Sequence, residues 1–286
     1  MRIVLSILAL VISLASVWAT EPTDSVEVKP LRPVFAAYTY EVGASNLADT
    51  YLTPLKYSGW HMGLRYDRMQ AMGFNPENWV MRLCTGLHVD KTMNHRRNAT
   101  MWYWGVDFSW SMMRRWRLQN GLSAGIGGEA RLDAGCYYNT RNGNNPAAAK
   151  AAITMGLTGY AAWNGHIGRI PLTLRYQPSM PLVGAFFSPS YGELYYEIYL
   201  GNHSGLVYPA WVGNYFRLEN LLTADIHLGN TSLRVGYSGT IHTTRVNDIT
   251  TRRFVHAAVI GLSGEWLSVN PRKMPSKEAR IISATY

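Results

Sequence analysis

The feature that most constrains the fold of this chain is a period-two alternation of apolar and polar side chains. The clearest case sets Trp102, Trp104, Val106, Phe108 and Trp110 against Tyr103, Gly105, Asp107, Ser109 and Ser111. Successive side chains of a β-strand point to opposite faces, so such a segment has one apolar face and one polar face. The same pattern recurs from residue 34 to residue 266 and predicts an all-β chain of two-faced strands.

Strand number and loop length favour a membrane barrel. About eleven segments alternate, and most approach the roughly 9 to 11 residues that cross a bilayer at a tilt. Bacterial barrels prefer an even number of strands, so we assign one more crossing to residues 206–212, where Pro209 weakens the strand pattern. We expect the short turns in the periplasm and the longer connections outside the cell, at 47–56, 91–99, 133–150 and 178–191. The prediction is an antiparallel transmembrane β-barrel of about 12 strands with both termini periplasmic.

Composition agrees with a barrel whose apolar face meets lipid. The chain has 18 Tyr, 10 Trp and 26 Gly, whereas its charged fraction of 16% is low for a soluble domain. Amphipathic aromatic side chains in such number suit the girdles at the two membrane interfaces. The alternative is a periplasmic β-domain that binds lipid or another ligand, which requires the apolar faces to turn inward around a cavity.

The first residues predict export from the cytoplasm. Arg2 is followed by an apolar run from Ile3 to Val17 and then by Ala19, the pattern of a secretory signal peptide cleaved near Ala19. We therefore divide the chain into a signal peptide (1–19), a periplasmic leader (20–33), a β-barrel (34–266) and a periplasmic tail (267–286). Without Arg2 the formal charge is +9 − 1 = +8, which suits an anionic partner. A location in the cell outer membrane argues against nucleic acid as that partner.

If the apolar faces meet lipid, charged residues of both signs line the lumen. The predicted lumen charge network is Glu41, Arg65, Arg82, Asp107, Arg175, Glu193, Glu197, Arg217, Glu219 and Arg234, and the same inward faces carry Asp67, Arg117, Glu129 and Asp225. Buried charges need partners, so we expect these side chains to form ion pairs that brace the wall and fill the lumen. A polar path for permeation or binding is the alternative.

The segment from Phe186 to Gly201 carries two of these carboxylates. Its second half alternates Glu193 and Glu197 with apolar residues, which predicts a further strand with both carboxylates in the lumen, near Arg175 and Arg217. A turn rich in Pro, Ser and Gly interrupts the first half. We expect an outer loop over the mouth of the barrel, formed by Phe187, Ser188, Pro189 and Tyr191.

Residues that carry catalytic chemistry are few. His203 and Ser204 loosely resemble the His/Ser/Asn arrangement of outer-membrane phospholipases, but adjacent strand residues point to opposite faces, so this pair lacks the geometry of a dyad. We therefore predict that the protein is not an enzyme, and an outer-membrane lipid-acting hydrolase is kept as the alternative function. The eight His have no metal-ligand spacing, so neither a metal nor a cofactor is predicted. Whether Cys84 and Cys136 pair stays open.

Short motifs carry a resemblance to a known family. They are Phe187-Ser188-Pro189-Ser190-Tyr191-Gly192, Tyr195-Tyr196-Glu197, Arg234-Val235-Gly236-Tyr237, Val246-Asn247-Asp248-Ile249 and the segment from His256 to Gly261. In these motifs the chain resembles an uncharacterised family of secreted β-barrel proteins from Bacteroidota-type bacteria, a domain of unknown function. The resemblance covers most of the mature chain. It implies an outer-membrane barrel and supplies no activity or catalytic residue.

Together these features predict an integral outer-membrane β-barrel protein. Its expected role is a narrow or gated channel or a structural subunit of an envelope complex. The expected partners are outer-membrane lipid and lipopolysaccharide, which the basic patch His95-Arg96-Arg97 in an outer loop would face. A small polar solute or another envelope protein is a further candidate partner.

Overall fold

Ten long antiparallel strands close into a barrel, and a short strand lies beside them. The computed structural model describes residues 30–143, 145–189, 195–201, 205–267 and 280–285. The strands are β1 (Val34–Asp49), β2 (Thr53–Ala71), β3 (Trp79–Asn94), β4 (Thr100–Arg117), β5 (Leu122–Asn139), β6 (Ala147–Ile167), β7 (Ile170–Phe187), β8 (Val207–Trp211), β9 (Tyr215–His227), β10 (Ser232–Val246) and β11 (Ile249–Trp266). One short helix, α1 (Tyr195–Tyr199), follows β7. The predicted signal peptide and most of the predicted leader lie outside the described residues.

Closure rests on the pairing of every long strand with two neighbours. β1 pairs with β2 and with β11, and the order continues from β2 to β6 on one side and from β11 through β10 and β9 to β7 on the other. β6 and β7 then pair from Ala152↔Phe186 to Ile167↔Ile170, which completes the ring. A closed ring satisfies the backbone hydrogen bonds of its strands within the wall, as a hydrocarbon environment requires.

The expected count of about 12 strands is not confirmed, because residues 207–211 do not form a further strand of the closed ring. β8 has five residues and pairs with the end of β7 at Val183–Phe187. β9 pairs directly with the first part of β7, at Leu172–Ser179, so β7 has a partner over most of its length without another crossing. Pro209 lacks the N–H that a central strand donates, in keeping with a position outside the ring. The ring of ten strands keeps an even number.

The two ends of the barrel differ in their connections. At the terminal end, where β1 begins and β11 ends, the connections are 72–78, 118–121, 168–169 and 228–231. At the opposite, distal end they are 50–52, 95–99, 140–146, 247–248 and the long connection 188–214, which contains α1 and β8. The turn Asn247-Asp248 has positive φ at both residues, the type I′ geometry that suits a two-residue hairpin. The longest connection lies at the end that the sequence assigns to the outer side.

The alternating pattern places apolar side chains outside the barrel and polar side chains inside it. Tyr38 and Leu64 are more than half exposed on the outer surface, whereas Glu41 and Arg65 on the same two strands are buried. This orientation is the one predicted for a membrane barrel and the reverse of the one that a soluble ligand-binding β-domain requires. Among the described residues, no helix is long and apolar enough to span a membrane.

The strand predicted in the second half of the segment from Phe186 to Gly201 is wrong. β7 ends at Phe187, and Tyr195–Tyr199 forms α1, where Glu197 is exposed outside the barrel. Glu197 is therefore not a lumen residue, and neither Arg175 nor Arg217 is near it as a strand partner. Glu193 and Tyr191 lie outside the described residues.

Helix α1 satisfies part of its own backbone. The Leu200 N–H donates to the Tyr196 carbonyl at 3.0 Å, and Gly201, with a φ of 107°, ends the helix. The Tyr195 phenol accepts a hydrogen bond from the Ala149 N–H at 2.6 Å, and burial raises the pKa of Tyr195 above its ordinary value. An alternation of so few residues is compatible with a helix as well as with a strand, and in the described chain no strand pairs with this segment.

Candidate functional site in the barrel lumen

A cluster of charged side chains fills the middle of the lumen. This central cluster consists of Asp107, Arg131, Asp133, Arg217 and Glu219. The Arg131 guanidinium donates to both carboxylate oxygens of Glu219, at 2.9 and 2.7 Å, and Arg217 donates to Asp133 at 2.7 Å. Two strands, β6 and β7, separate β5 from β9 in the wall. These charge-assisted hydrogen bonds therefore join strands that share no backbone pairing.

Two bidentate ion pairs occupy the part of the lumen nearer the terminal end. Arg82 donates to Asp67 at 2.9 and 3.3 Å, and two nitrogen atoms of Arg234 donate to Asp225, each at 2.7 Å. The Ser263 hydroxyl donates to Asp225 at 2.6 Å. All four charged side chains are buried, so each carboxylate compensates a guanidinium group that has left water.

Phe35 lies against two arginines of the lumen. The guanidinium carbon of Arg175 is 4.7 Å from the ring centroid and that of Arg234 is 5.0 Å from it, within the range of cation–π attraction. Arg175 also donates to the Met69 sulfur at 3.4 Å. Within the described chain no carboxylate lies close enough to form an ion pair with Arg175. The two arginines therefore share an aromatic contact but differ in charge compensation.

Asp90 connects four strands in the part of the lumen nearer the distal end. Its carboxylate accepts hydrogen bonds from Arg253 Nε at 2.8 Å, from the Ser45 hydroxyl at 2.9 Å and from His61 Nδ1 at 2.6 Å. The Arg253 guanidinium carbon also lies 4.6 Å from the centre of the Tyr103 ring. Asp90 is on β3 and its three partners are on β11, β1 and β2, so one carboxylate ties these strands together.

Glu41, His61 and His88 are the candidate metal ligands of the described chain. One ligand atom from each lies within 4.8 Å of the others. Arg65 Nε donates to the Glu41 Oε1 atom at 2.6 Å, and His88 Nε2 lies 2.5 Å from Asp107. A search for ligand spacing along the sequence misses this group, because strand pairing rather than sequence spacing brings its members together.

The C-terminal segment 280–285 closes the terminal end. Arg115 on β4 donates to one carbonyl of the segment at 2.6 Å, and Asn164 on β6 donates to another at 2.9 Å. Glu265 on β11 accepts a hydrogen bond from a segment hydroxyl at 2.5 Å. Ala284 is buried in a terminal cluster with Phe35, Ala37, Met69, Val80, Met113, Tyr160 and Ala162. The described part of the predicted periplasmic tail therefore lies across the mouth rather than beyond it.

Side chains of the wall and its connections close the distal end. The distal cluster of buried apolar residues is Leu47, Leu52, Tyr57, Ala99, Met101, Tyr137 and Ala148. Asn139 donates to the Tyr57 hydroxyl at 3.2 Å. A cavity of about 40 Å³ beside Phe186 and Arg217 has room for only about three water molecules. Among the described residues, these side chains pack across the distal end.

The structure brings most of the predicted lumen charge network together. The members that face the lumen are Glu41, Arg65, Arg82, Asp107, Arg175, Arg217, Glu219 and Arg234. Glu41 pairs with Arg65, and Arg217 pairs with Glu219. Arg82 and Arg234 pair with Asp67 and Asp225, which the alternation also places on the inward faces. Asp107 pairs with Arg131, which was not among the predicted residues.

Several residues with central contacts are absent from the predicted set. They are Asp90, Arg131, Asp133 and Arg253. Asp133 falls in a stretch assigned to an outer loop, but β5 continues to Asn139. The signal was present, because Glu129, Arg131 and Asp133 are spaced by two and must share a face if the strand continues.

Other predicted features lie at the distal end or outside the described residues. The Ser188 N–H donates to the Leu206 carbonyl at 3.0 Å, just after β7 ends at Phe187. His203 and Ser204, which carried the hydrolase alternative, are not among the described residues. Both cysteines, Cys84 on β3 and Cys136 on β5, are free thiols.

The sequence is similar to one described family. The model of the family "Protein of unknown function (DUF3316)" matches residues 3–273. Among curated proteins, none has a significant match to the chain. The family description supplies no activity.

Several solved outer-membrane structures have a similar outline. The outer membrane protease OmpT from Escherichia coli has 7% identity and a TM-score of 0.43, over 85% of this chain and 99% of that chain. The translocator domain of the autotransporter NalP from Neisseria meningitidis has 11% identity and a TM-score of 0.36, over 93% and 95%. A FadL homologue from Pseudomonas aeruginosa has 8% identity and a TM-score of 0.30, over 82% and 90%. Similarities at this level carry no information on activity.

Proposed function

The chain belongs to the DUF3316 family of proteins of unknown function, and we propose that it is a structural subunit of an outer-membrane envelope complex whose lumen is sealed at rest. One observation carries this proposal: ion pairs cross the lumen, and buried apolar clusters close both mouths. An open diffusion pore needs a continuous water-filled path. A sealed barrel instead offers its outer surface and its distal connections to the membrane and to partners.

The outer surface supports residence in a membrane. The ring strands range from 13 residues in β9 to 21 in β6, more than the roughly 9 to 11 that cross a bilayer. Their outward side chains include many exposed apolar and aromatic residues, among them Val42, Met62, Val106, Ile126 and Ile260. In water this surface would be a large apolar patch, whereas in lipid it costs nothing to expose.

A basic groove near the distal end supports contact with the acidic groups of lipopolysaccharide. Lys56, Trp60, Lys91 and Arg97 line it, and the Lys91 ammonium lies 5.2 Å from the centre of the Trp102 ring. Cations beside interfacial aromatic rings suit phosphate groups at the membrane surface. A Lys56→Glu/Lys91→Glu variant should retain less lipopolysaccharide on purification than the wild type. Equal retention would contradict this contact.

A gated channel is the second candidate function. The observation that favours it is that the segment 280–285 closes the terminal end without belonging to the wall. Displacing this segment would uncover Arg115 and the terminal cluster while leaving the strand pairing intact. Such an opening would still require a change at the central cluster, because the ion pair between Arg131 and Glu219 crosses the lumen.

Conductance in planar bilayers tests both candidates. We expect the refolded full-length chain to show no steady conductance. If the structural role holds, a shortened chain that ends at residue 279 stays closed as well, because the central cluster and the distal cluster remain. If the channel holds, loss of the segment also lets the central cluster rearrange, and the shortened chain conducts. The matched control is Ile281→Ala, since Ile281 is exposed on the same segment.

Two results would contradict the main proposal. Steady conductance by the full-length chain would mean that the lumen is not sealed. Recovery of the mature chain in the soluble fraction without detergent would mean that the outer face does not meet lipid. Outer-membrane fractionation and heat-modifiable migration on a gel therefore accompany the conductance measurement.

A further inference from the structure

Strand register places Glu41, Gly63 and His88, one on each of β1, β2 and β3, in one row on the inner face of the wall. Glu41 on β1 pairs with Gly63 on β2, and Gly63 pairs with His88 on β3. His61 lies one step along the same inward face of β2, two residues from Gly63. Because paired positions on adjacent strands lie about 5 Å apart, Glu41, His61 and His88 surround the empty position above Gly63.

Each histidine uses one ring nitrogen on a carboxylate. His61 Nδ1 lies 2.6 Å from Asp90, and His88 Nε2 lies 2.5 Å from Asp107. An ionised carboxylate only accepts hydrogen bonds, so the nitrogen that faces it carries the proton. This contact fixes the ring orientation and leaves the second nitrogen of each neutral imidazole with a free lone pair. Histidine ligands of metal ions are held by carboxylates in the same way.

The two remaining nitrogens are buried and lack partners. His61 Nε2 and His88 Nδ1 have no hydrogen-bond partner within the described chain, although both side chains are at least nine-tenths buried. The Oε2 atom of Glu41 is 3.6 Å from His61 Nε2, too far for a hydrogen bond. With both imidazoles neutral, three electron-pair donors face one another in a site from which water is largely excluded, an arrangement that a cation would stabilise. A proton on His61 Nε2 would instead complete an ion pair with Glu41.

Gly63 leaves the space that such a cation needs. A Cβ atom at position 63 would lie 3.2 Å from His61 Nε2 and 3.3 Å from His88 Nδ1. Gly86 performs a related role, because a Cβ there would lie 2.7 Å from the Asp107 carboxylate and 2.8 Å from His88 Nε2. The two glycines thus admit the ligands and the carboxylate that orients His88.

From this geometry we propose that Glu41, His61 and His88 form a binding site for a divalent transition metal ion of the zinc type. Two imidazole nitrogens and one carboxylate oxygen are a donor set that Zn²⁺ accepts. Tetrahedral coordination at about 2.0–2.1 Å places ligand atoms about 3.4 Å apart. One possible ligand atom of each residue lies within 4.8 Å of the others, so binding requires side-chain rotation that brings the ligand atoms closer together around the ion.

The surrounding charges favour a cation at this position. The central cluster next to the site holds three carboxylates, Asp107, Asp133 and Glu219, and two guanidinium groups, Arg131 and Arg217, which leaves one negative charge in excess. The other arginines near the site are already paired. Arg65 donates to the Oε1 atom of Glu41, and Arg253 donates to Asp90. The Oε2 atom of Glu41 therefore stays available.

Titration of the full-length chain in detergent, after removal of metals by a chelator, tests the site. We expect Zn²⁺ to bind stoichiometrically and to raise the temperature at which the heat-modifiable band unfolds. Co²⁺ should give the visible ligand-field absorption of a low-symmetry nitrogen and oxygen site. Asp107→Asn, which removes the carboxylate that orients His88, should weaken Zn²⁺ binding by about 10- to 100-fold.

Substitution at Gly63 separates the site from its ligands. Gly63→Ala changes no ligand but fills the central space, so it should abolish binding, as should Glu41→Gln. The matched control is His242→Ala, because His242 is another lumen histidine whose Nε2 has no partner in the described chain, yet it does not belong to the three-residue group. The His242→Ala variant should bind Zn²⁺ with the same affinity as the wild type.

Two outcomes would overturn the proposal. One is that the wild type binds neither Zn²⁺ nor Co²⁺, which would mean that protonated His61 bridges Asp90 and Glu41 instead. The other is that Gly63→Ala and Glu41→Gln bind Zn²⁺ as tightly as the wild type. If a variant does not fold, the Co²⁺ spectrum of the wild type decides, because the absence of ligand-field bands also rejects the site.

Discussion

The two ends of the lumen are closed by different kinds of structure. At the distal end the closure consists of side chains of the wall, such as Tyr57, Met101 and Tyr137, together with side chains of short connections. At the terminal end it includes a separate segment, 280–285, held by Arg115 and Asn164. Both ends bury apolar side chains. At the terminal end, the segment 280–285 can move away without disrupting any strand pairing of the ring.

This difference teaches that stability and closure are separable at one end only. Removing distal side chains must disturb the strands that carry them, so any change in permeability there comes with a loss of stability. Removing the terminal segment changes closure while the ring of ten strands keeps its pairing. Variants in the central cluster, at each end and at Arg175 test this difference.

The largest effect on stability is expected in the central cluster, which lies between the two ends of the lumen. Glu219→Ala removes the carboxylate that accepts two hydrogen bonds from each of Arg131 and Arg217 and leaves them Asp133 as the shared carboxylate, so the free energy of unfolding should fall by about 3–5 kcal/mol. The measurement is reversible urea unfolding in lipid vesicles. The control Arg117→Ala removes a half-exposed ion pair with Glu77 and should cost at most about 1 kcal/mol. Similar losses in the two variants would show that the central cluster does not brace the barrel.

An intermediate effect is expected at the two ends, with the distal end more sensitive. Met101→Ala opens a cavity in the distal cluster and should lower the free energy of unfolding by about 2–5 kcal/mol. The chain that ends at residue 279 loses chiefly the burial of Ile282 and should lose about 2 kcal/mol. Urea unfolding of both variants under the same conditions gives the order. A larger loss in the shortened chain would make the segment part of the barrel core and erase the distinction.

The smallest effect is expected at Arg175. Arg175→Met removes a buried charge that has no carboxylate partner in the described chain and keeps an unbranched side chain beside Phe35, so the free energy of unfolding should change by less than about 1 kcal/mol or rise. Arg234→Met is the matched control, because Arg234 also contacts the Phe35 side chain. This variant leaves the buried Asp225 carboxylate without its arginine partner, so the free energy of unfolding should fall by about 3–5 kcal/mol. A large loss at Arg175 would reveal a compensating partner for its charge.

The faces of the strands could be predicted from the sequence with little ambiguity. Period-two alternation decides which side chains share a face, and a bilayer decides which face is outside. Glu41 and Arg65 therefore lie in the lumen as expected, and Tyr38 and Leu64 lie outside. The strand limits at Val34 and Trp266 also coincide with the limits of the pattern.

The remaining features depend on contacts between segments far apart in the sequence. The alternation of Tyr195–Tyr199 is too short to distinguish a strand from a helix without knowing that no described strand pairs with it. Burial of the segment 280–285 depends on hydrogen bonds to β4, β6 and β11. The row of Glu41, Gly63 and His88 depends on register, which loop length and the closing of the ring fix.

The pairing of β1 with β11 has a consequence for how the protein is made. These strands are first and last in the chain, and they pair over their whole length from Val34↔Trp266 to Asp49↔Thr251. The ring therefore cannot close before the final strand has been synthesised. Until then the first strand keeps a long unpaired edge, which is a template for aggregation. That edge needs protection for as long as the last strand is absent.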